Sequence, residues 1–187
     1  MDTRRLASAI EHTLLKAEAA AADVDRLCEE ADRLRFHAVC VPPRYVRQAA
    51  KRLEALRSDV RVVSVAGFPL GGSRTETKAD EAARAMDDGA VEIDMVPPIG
   101  ALRAGDRSEV RQDIEAVARI VHGRFNGILK VILETAALTD AQIVLGCRLC
   151  MEGEADFVKT STGFHPAGGA TVEAVRLLHR HAAPMQV

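Results

Sequence analysis

Short apolar runs alternate along this chain with longer stretches whose apolar positions recur at helical spacing. The short runs cover residues 10–15, 38–41, 60–66, 91–96, 128–133 and 157–160, and a seventh begins at Met185. Their length and β-branched content predict strands. The longer stretches, 23–34, 45–56, 74–88, 109–121, 140–151 and 171–181, predict helices. Ala79, Ala82, Ala83 and Met86 keep the helical period, as do Ile114, Val117, Ala118 and Val121. Asp23 and Asp140 are the expected helix starts, and Gly89 is an expected stop.

Strands that alternate with helices imply βαβ units around a parallel sheet. Two closures compete, an open doubly wound sheet and a (β/α)₈ barrel. An open dinucleotide-binding sheet carries GxGxxG after its first strand. Here KAEAAAADV follows, without glycine, and the barrel is favoured. A barrel typically takes about 250 residues. This chain supplies six βα units and the start of strand 7, so the expectation is a TIM (β/α)₈ barrel that is C-terminally incomplete. No Pro/Gly/Ser linker divides residues 1–187, and one domain is expected.

Composition narrows the function classes. The net charge is −2 over 187 residues, without the basic stripe expected of a nucleic-acid or membrane-surface protein. No apolar run approaches the ~18 residues of a membrane helix. The N-terminal MDTRRLASAI lacks an apolar signal core. Aromatic residues make up 3% of the chain, so the core is expected to be aliphatic. Cysteines fall at 28, 40, 147 and 150. The Cys147–Cys150 CxxC has no second pair to complete a zinc site, and the spacing is not a disulfide framework. Thiols beside a core in a reducing cytoplasm are the expectation.

The informative residues are charges inside apolar strands, because a buried parallel strand ordinarily reads as continuous Val, Ile and Leu. In AVEIDMV, Glu92 and Asp94 share one face, and Ile93 and Met95 the other. The aliphatic face should meet the outer helices, which turns the acids inward. Lys130 shares a face with Ile128, Ile132 and Glu134, and Lys159 lies at the C-terminal end of its strand, where barrel enzymes place their chemistry. Buried charges are costly unless paired. A lysine desolvated beside a second cation should have a lowered pKa, and a neutral amine attacks carbonyls to form a Schiff base. A neighbouring carboxylate moves the protons. Two lysines with Asp94 therefore suggest carbon–carbon bond chemistry through an imine or enamine, and no metal-ligand spacing competes.

At these residues the chain resembles the deoxyribose-phosphate aldolase family of class I aldolases. The matching stretches are EHTLLK, AVCVPPRYV, VAGFPLGG, EIDMV, GALRAGD, LKVILET and ADFVKTSTGF, in that order across almost the whole chain. The resemblance implies a TIM barrel that cleaves 2-deoxy-D-ribose 5-phosphate to D-glyceraldehyde 3-phosphate and acetaldehyde, without metal or other cofactor. It implies Lys159 as the Schiff-base lysine, Asp94 as the proton shuttle and Lys130 as a second pocket lysine. Cys40 matches a pocket-side cysteine, and Glu11 belongs to the polar network of the first strand. Thr160, Ser161, Thr162 and Gly163 form the turn after Lys159 and are candidates to hold substrate oxygens. Partners are then a phosphorylated sugar and an aldehyde, in a homo-oligomer of the cytoplasm.

The chain departs from the family pattern at several points. Glu11 stands where an aspartate is usual, Pro97 and Pro98 follow EIDMV, and Phe164 and His165 occupy positions that include a phosphate-contacting lysine in some relatives. APMQV resembles the start of the seventh strand, after which the family carries a second lysine and glycine-rich phosphate loops. A shortened barrel is expected to expose strand edges and to self-associate. A weakly active or inactive fragment is thus the second reading of the function, and another imine-forming barrel aldolase the third.

Overall fold

In the computed structural model, which describes residues 2–187, six parallel strands pair in chain order β1 to β6. They are β1 (Glu11–Thr13), β2 (Ala38–Cys40), β3 (Arg61–Ala66), β4 (Glu92–Met95), β5 (Ile128–Ile132) and β6 (Phe157–Lys159). The helices are α1 (Thr3–Ala7), α2 (Ala21–Leu34), α3 (Val46–Leu56), α4 (Thr75–Asp87), α5 (Ile99–Ala104), α6 (Arg107–Phe125), α7 (Asp140–Glu152) and α8 (Val172–His181). β1 and β6 are not hydrogen-bonded to each other, yet Glu11 on β1 reaches Lys159 on β6 at 2.9 Å. The sheet is therefore curled, with the inner faces of its end strands turned toward one another. At Met185 the expected seventh strand is a single parallel bridge, in which Gln186 pairs with Phe157 beside β6.

Strand parity separates two layers. Val39, Ile93, Met95, Leu129, Val131 and Val158 point outward and pack beneath the helices in the main core. Ala38, Cys40, Val63 and Val65 point inward and form a smaller apolar cluster with Leu15 and Phe68. The inward positions of β4, β5 and β6 carry Glu92, Asp94, Lys130 and Lys159 instead. The curled α/β sheet with helices outside follows the expected strand order.

The helix ends differ from expectation for local reasons. α2 starts two residues before Asp23, whose carboxylate accepts the Ala20 N–H at 2.8 Å from inside the first turn. α7 is capped by Thr139, with Gln142 closing the reciprocal bond, so the cap lies one residue before Asp140. α6 runs past Val121 through polar His122 and Arg124 and ends where Asn126 adopts a left-handed backbone. α1 and α5 are short and have little periodicity to announce them. Cys147 and Cys150 are buried free thiols on α7. No helix among the described residues is long and apolar enough to cross a membrane.

Candidate active site

Register brings the charged strand residues together. Asp94 pairs with Lys130 across β4 and β5, and Ile132 pairs with Lys159 across β5 and β6. Lys159 therefore stands one inward position further toward the C-terminal ends of the strands than Lys130. Lys130 Nζ lies 2.6 Å from Glu11, 2.5 Å from Glu92 and 3.2 Å from Asp94. Lys159 Nζ contacts the other oxygen of Asp94 and lies 2.9 Å from Glu11. Glu92 is shared at its far side by His37 at 2.9 Å and Arg61 at 3.2 Å. Exposure separates the two lysines: the Lys159 side chain is 30% exposed and that of Lys130 only 4%.

The expected depression of the lysine pKa is reversed. Burial alone would lower Lys130, but the charges of Asp94, Glu11 and Glu92 outweigh it and push the group up. Lys159 is also raised: burial and the neighbouring Lys130 act against it, and Asp94 and Glu11 prevail. The reason is numerical, because three carboxylates surround two ammonium groups. The same pairing holds Glu11 and Glu92 below their ordinary values, although burial alone would raise them. Depressed carboxylates contribute stability that is fully present above the unfolded value of about 4.3 and is lost as pH falls through the folded value. We therefore expect the melting temperature to fall between pH ~5 and pH ~3, with a shallower slope in Glu92→Gln. The raised lysines add stability below about pH 10 that disappears only at higher pH. Thermal melts across both ranges check the sign.

The other sequence-predicted residues surround this cluster. Glu11, first singled out as a departure, binds both lysines directly. Cys40 is 2% exposed within the inner apolar cluster. Burial, and then the Asp94 charge, push its thiol up, away from the thiolate form that reacts. Residues 160–163 form the turn that leaves β6. The Thr160 carbonyl accepts the Thr135 N–H at 2.8 Å. The Ser161 hydroxyl is buried without a hydrogen-bond partner among the described residues. Thr162 is taken up by Glu134, to which it gives both its N–H, at 3.2 Å, and its hydroxyl. Gly163 is left-handed at φ 82°.

Beside this turn is a cleft of about 230 Å³ whose lining includes Leu70, Arg103, Glu134, Thr162, Phe164 and His165. Arg103, on the short helix α5, and Leu70, in the β3–α4 loop, are not among the sequence candidates, since neither stretch has a readable period. The loops that form the cleft are held close. Gly71 has φ 69°, and a Cβ there would lie 2.0 Å from the Pro97 carbonyl oxygen, so only glycine lets the β3–α4 and β4–α5 loops touch. Phe68 packs edge-on against Phe164, with ring centroids 5.4 Å apart.

The chain is similar to known proteins in sequence and in fold. Residues 5–187 match a family model described as DeoC/LacD family aldolase. A deoxyribose-phosphate aldolase of Thermococcus gammatolerans is 48% identical over 179 residues, covering 96% of this chain and 79% of the relative. One from Deinococcus radiodurans is 51% identical over 173 residues, covering 92% of this chain and 76% of the relative. Among solved structures, a tetrameric deoxyribose phosphate aldolase from Aeropyrum pernix superposes with a TM-score of 0.89 at 31% identity, over 98% of this chain and 75% of that one. On these grounds the chain belongs to the DeoC/LacD family of aldolases.

Proposed function

We propose that the chain cleaves 2-deoxy-D-ribose 5-phosphate to D-glyceraldehyde 3-phosphate and acetaldehyde through a Schiff base on Lys159. The observation that carries this reading is the difference in access between two lysines sharing one carboxylate. Lys159 is reachable from the C-terminal side, whereas Lys130 is enclosed by Glu11, Glu92 and Asp94. The resting Lys159 is an ammonium ion in contact with Asp94. Transfer of its proton to Asp94 frees the amine to attack the C1 aldehyde of the open-chain sugar, and loss of water gives the protonated imine. A base takes the proton of the C3 hydroxyl, the C2–C3 bond breaks into the imine, and glyceraldehyde 3-phosphate leaves with the new carbonyl at C3. The remaining enamine is protonated at C2, and water releases acetaldehyde and the amine. Lys130 stays a fixed cation that holds Asp94 and Glu11 beside the reacting nitrogen. The cleft offers Arg103 and His165 to the phosphate. Self-association belongs to the same proposal, on the likeness to a tetrameric relative.

The test is turnover of 2-deoxyribose 5-phosphate, read as glyceraldehyde 3-phosphate released, by the chain and by Asp94→Asn. A positioned acid–base group contributes about 10²–10⁴-fold, and a loss of kcat in that range is expected for the variant. An Asp94→Asn rate within about threefold of the parent would remove Asp94 from proton transfer. No turnover by the parent chain would remove the substrate assignment.

A further inference from the structure

Just past the end of β5 stands a residue whose conformation is costly and whose side chain the proposed chemistry does not use. Glu134 has φ 58° and ψ 60°, a left-handed backbone uncommon outside glycine and asparagine. Its side chain is 1% exposed. One carboxylate oxygen takes both donors of Thr162, and the other is buried without a hydrogen-bond partner among the described residues. A glycine would relieve the backbone, and an apolar side chain would avoid the half-satisfied carboxylate. Strain of this kind persists where the surroundings impose it, and it clusters at functional sites.

The flanking hydrogen bonds show what the carboxylate adds. Leu133 N–H donates to the Lys159 carbonyl at 3.0 Å, and Thr135 N–H donates to the Thr160 carbonyl at 2.8 Å. These backbone bonds fix Lys159 and Thr160 without help from Glu134. Beyond Thr160 the backbone pairing with β5 stops, and Glu134 takes over by holding Thr162. The Thr162 hydroxyl in turn accepts the Phe164 N–H at 3.1 Å. The shape of the turn next to the cleft therefore depends on this one carboxylate. We propose that Glu134 is a positioning residue that, through Thr162, holds the turn after Lys159 in the shape that receives the phosphorylated end of the substrate. The inference rests on the function proposed above. It separates the substrate-holding turn, which Glu134 controls, from the imine-forming amine, which it does not.

The experiment compares Glu134→Gly, Thr162→Val and the double variant with the parent. Each is measured for kcat and KM on 2-deoxyribose 5-phosphate, and for the rate at which acetaldehyde with borohydride traps Lys159. Glycine tolerates the left-handed backbone, so Glu134→Gly removes the clamp without imposing strain. Displacement of a substrate group by about 1 Å can cost about 10²-fold, and a loss of that order in kcat/KM is expected, mainly in KM, with trapping within about threefold of the parent. The double variant should lose well short of the sum of the two single losses, because both singles remove the hydroxyl–carboxylate bond. Glu134→Gln, which keeps an acceptor oxygen for Thr162, should recover most of the loss. A kcat/KM unchanged in Glu134→Gly, additive losses in the double variant, or trapping that falls in parallel with turnover would each overturn the proposal. A parent that is trapped at Lys159 but does not turn over the sugar phosphate would instead count against the substrate reading.

Discussion

Replacing Lys159 with methionine is expected to lower kcat/KM for aldol cleavage by at least about 10⁴-fold, because the nucleophile of a covalent mechanism has no substitute. Lys130 does not take its place. Its ammonium lies within 3.2 Å of three carboxylates and its side chain is 4% exposed, so it is neither neutral nor accessible. The control is Lys159→Arg, which preserves the positive charge beside Asp94 and Glu11 but supplies no nucleophilic amine. Both variants should lose activity, and the arginine variant should keep more of the parent's melting temperature. Activity within about tenfold of the parent in Lys159→Met would contradict the assignment of the nucleophile.

The second large effect is on stability and lies outside the charge cluster. Lys78 on α4 is fully buried and donates to Asp113 on α6 at 2.7 Å, and the Thr75 hydroxyl holds the other Asp113 oxygen at 2.7 Å. The aliphatic stem of Lys78 runs beneath Gly67, where a Cβ would come within 2.7 Å of Lys78 Cε. Glu81 receives the Gly67 N–H at 2.8 Å, so α4 fixes the start of the loop that bears Phe68. Removing one partner of a buried pair leaves the other charge uncompensated, which costs about 3–5 kcal/mol. We expect that loss in Asp113→Leu, measured by urea denaturation. Replacing both partners with apolar residues of similar volume is often neutral or stabilising by about 1–4 kcal/mol. Lys78→Met with Asp113→Leu should therefore recover stability close to that of the parent. A cost below about 1 kcal/mol for Asp113→Leu would mean that the pair is not isolated from water in solution.

These two charge systems differ in how far the sequence revealed them. The strand cluster was legible because strand parity is rigid. Glu92, Asp94, Lys130 and Lys159 occupy inward positions of three consecutive strands, and period two leaves no other placement. The Lys78–Asp113 pair was not singled out, although spacing carried the signal. Lys78, Ala82 and Ala85 recur at helical intervals and are all buried. The stripe expected through Ala79 and Ala83 is rotated to include Lys78. Asp113 likewise follows Val110 and precedes Ile114 and Val117 on the buried face of α6. A lysine on an alanine-rich helix reads as solvated until its partner two helices away, on α6, is known.

The lysine pKa direction departs from the sequence expectation for a related reason. Strand parity turns Glu92 and Asp94 inward with the two lysines, but the role of Glu11 as a third, direct partner depends on the curl of the sheet. The 148-residue separation between Glu11 and Lys159 is closed only by that curl. Glu134 is inward by parity with Lys130 and Ile132, but its left-handed turn onto Thr162 has no local sequence signature.

The central claim is that Lys159, and not Lys130, forms the imine. Intact-mass spectrometry of the chain with acetaldehyde and borohydride, followed by peptide mapping, tests it most directly. One reduced adduct per chain on the peptide containing Lys159 is the predicted result. No adduct, or an adduct on Lys130, would contradict it.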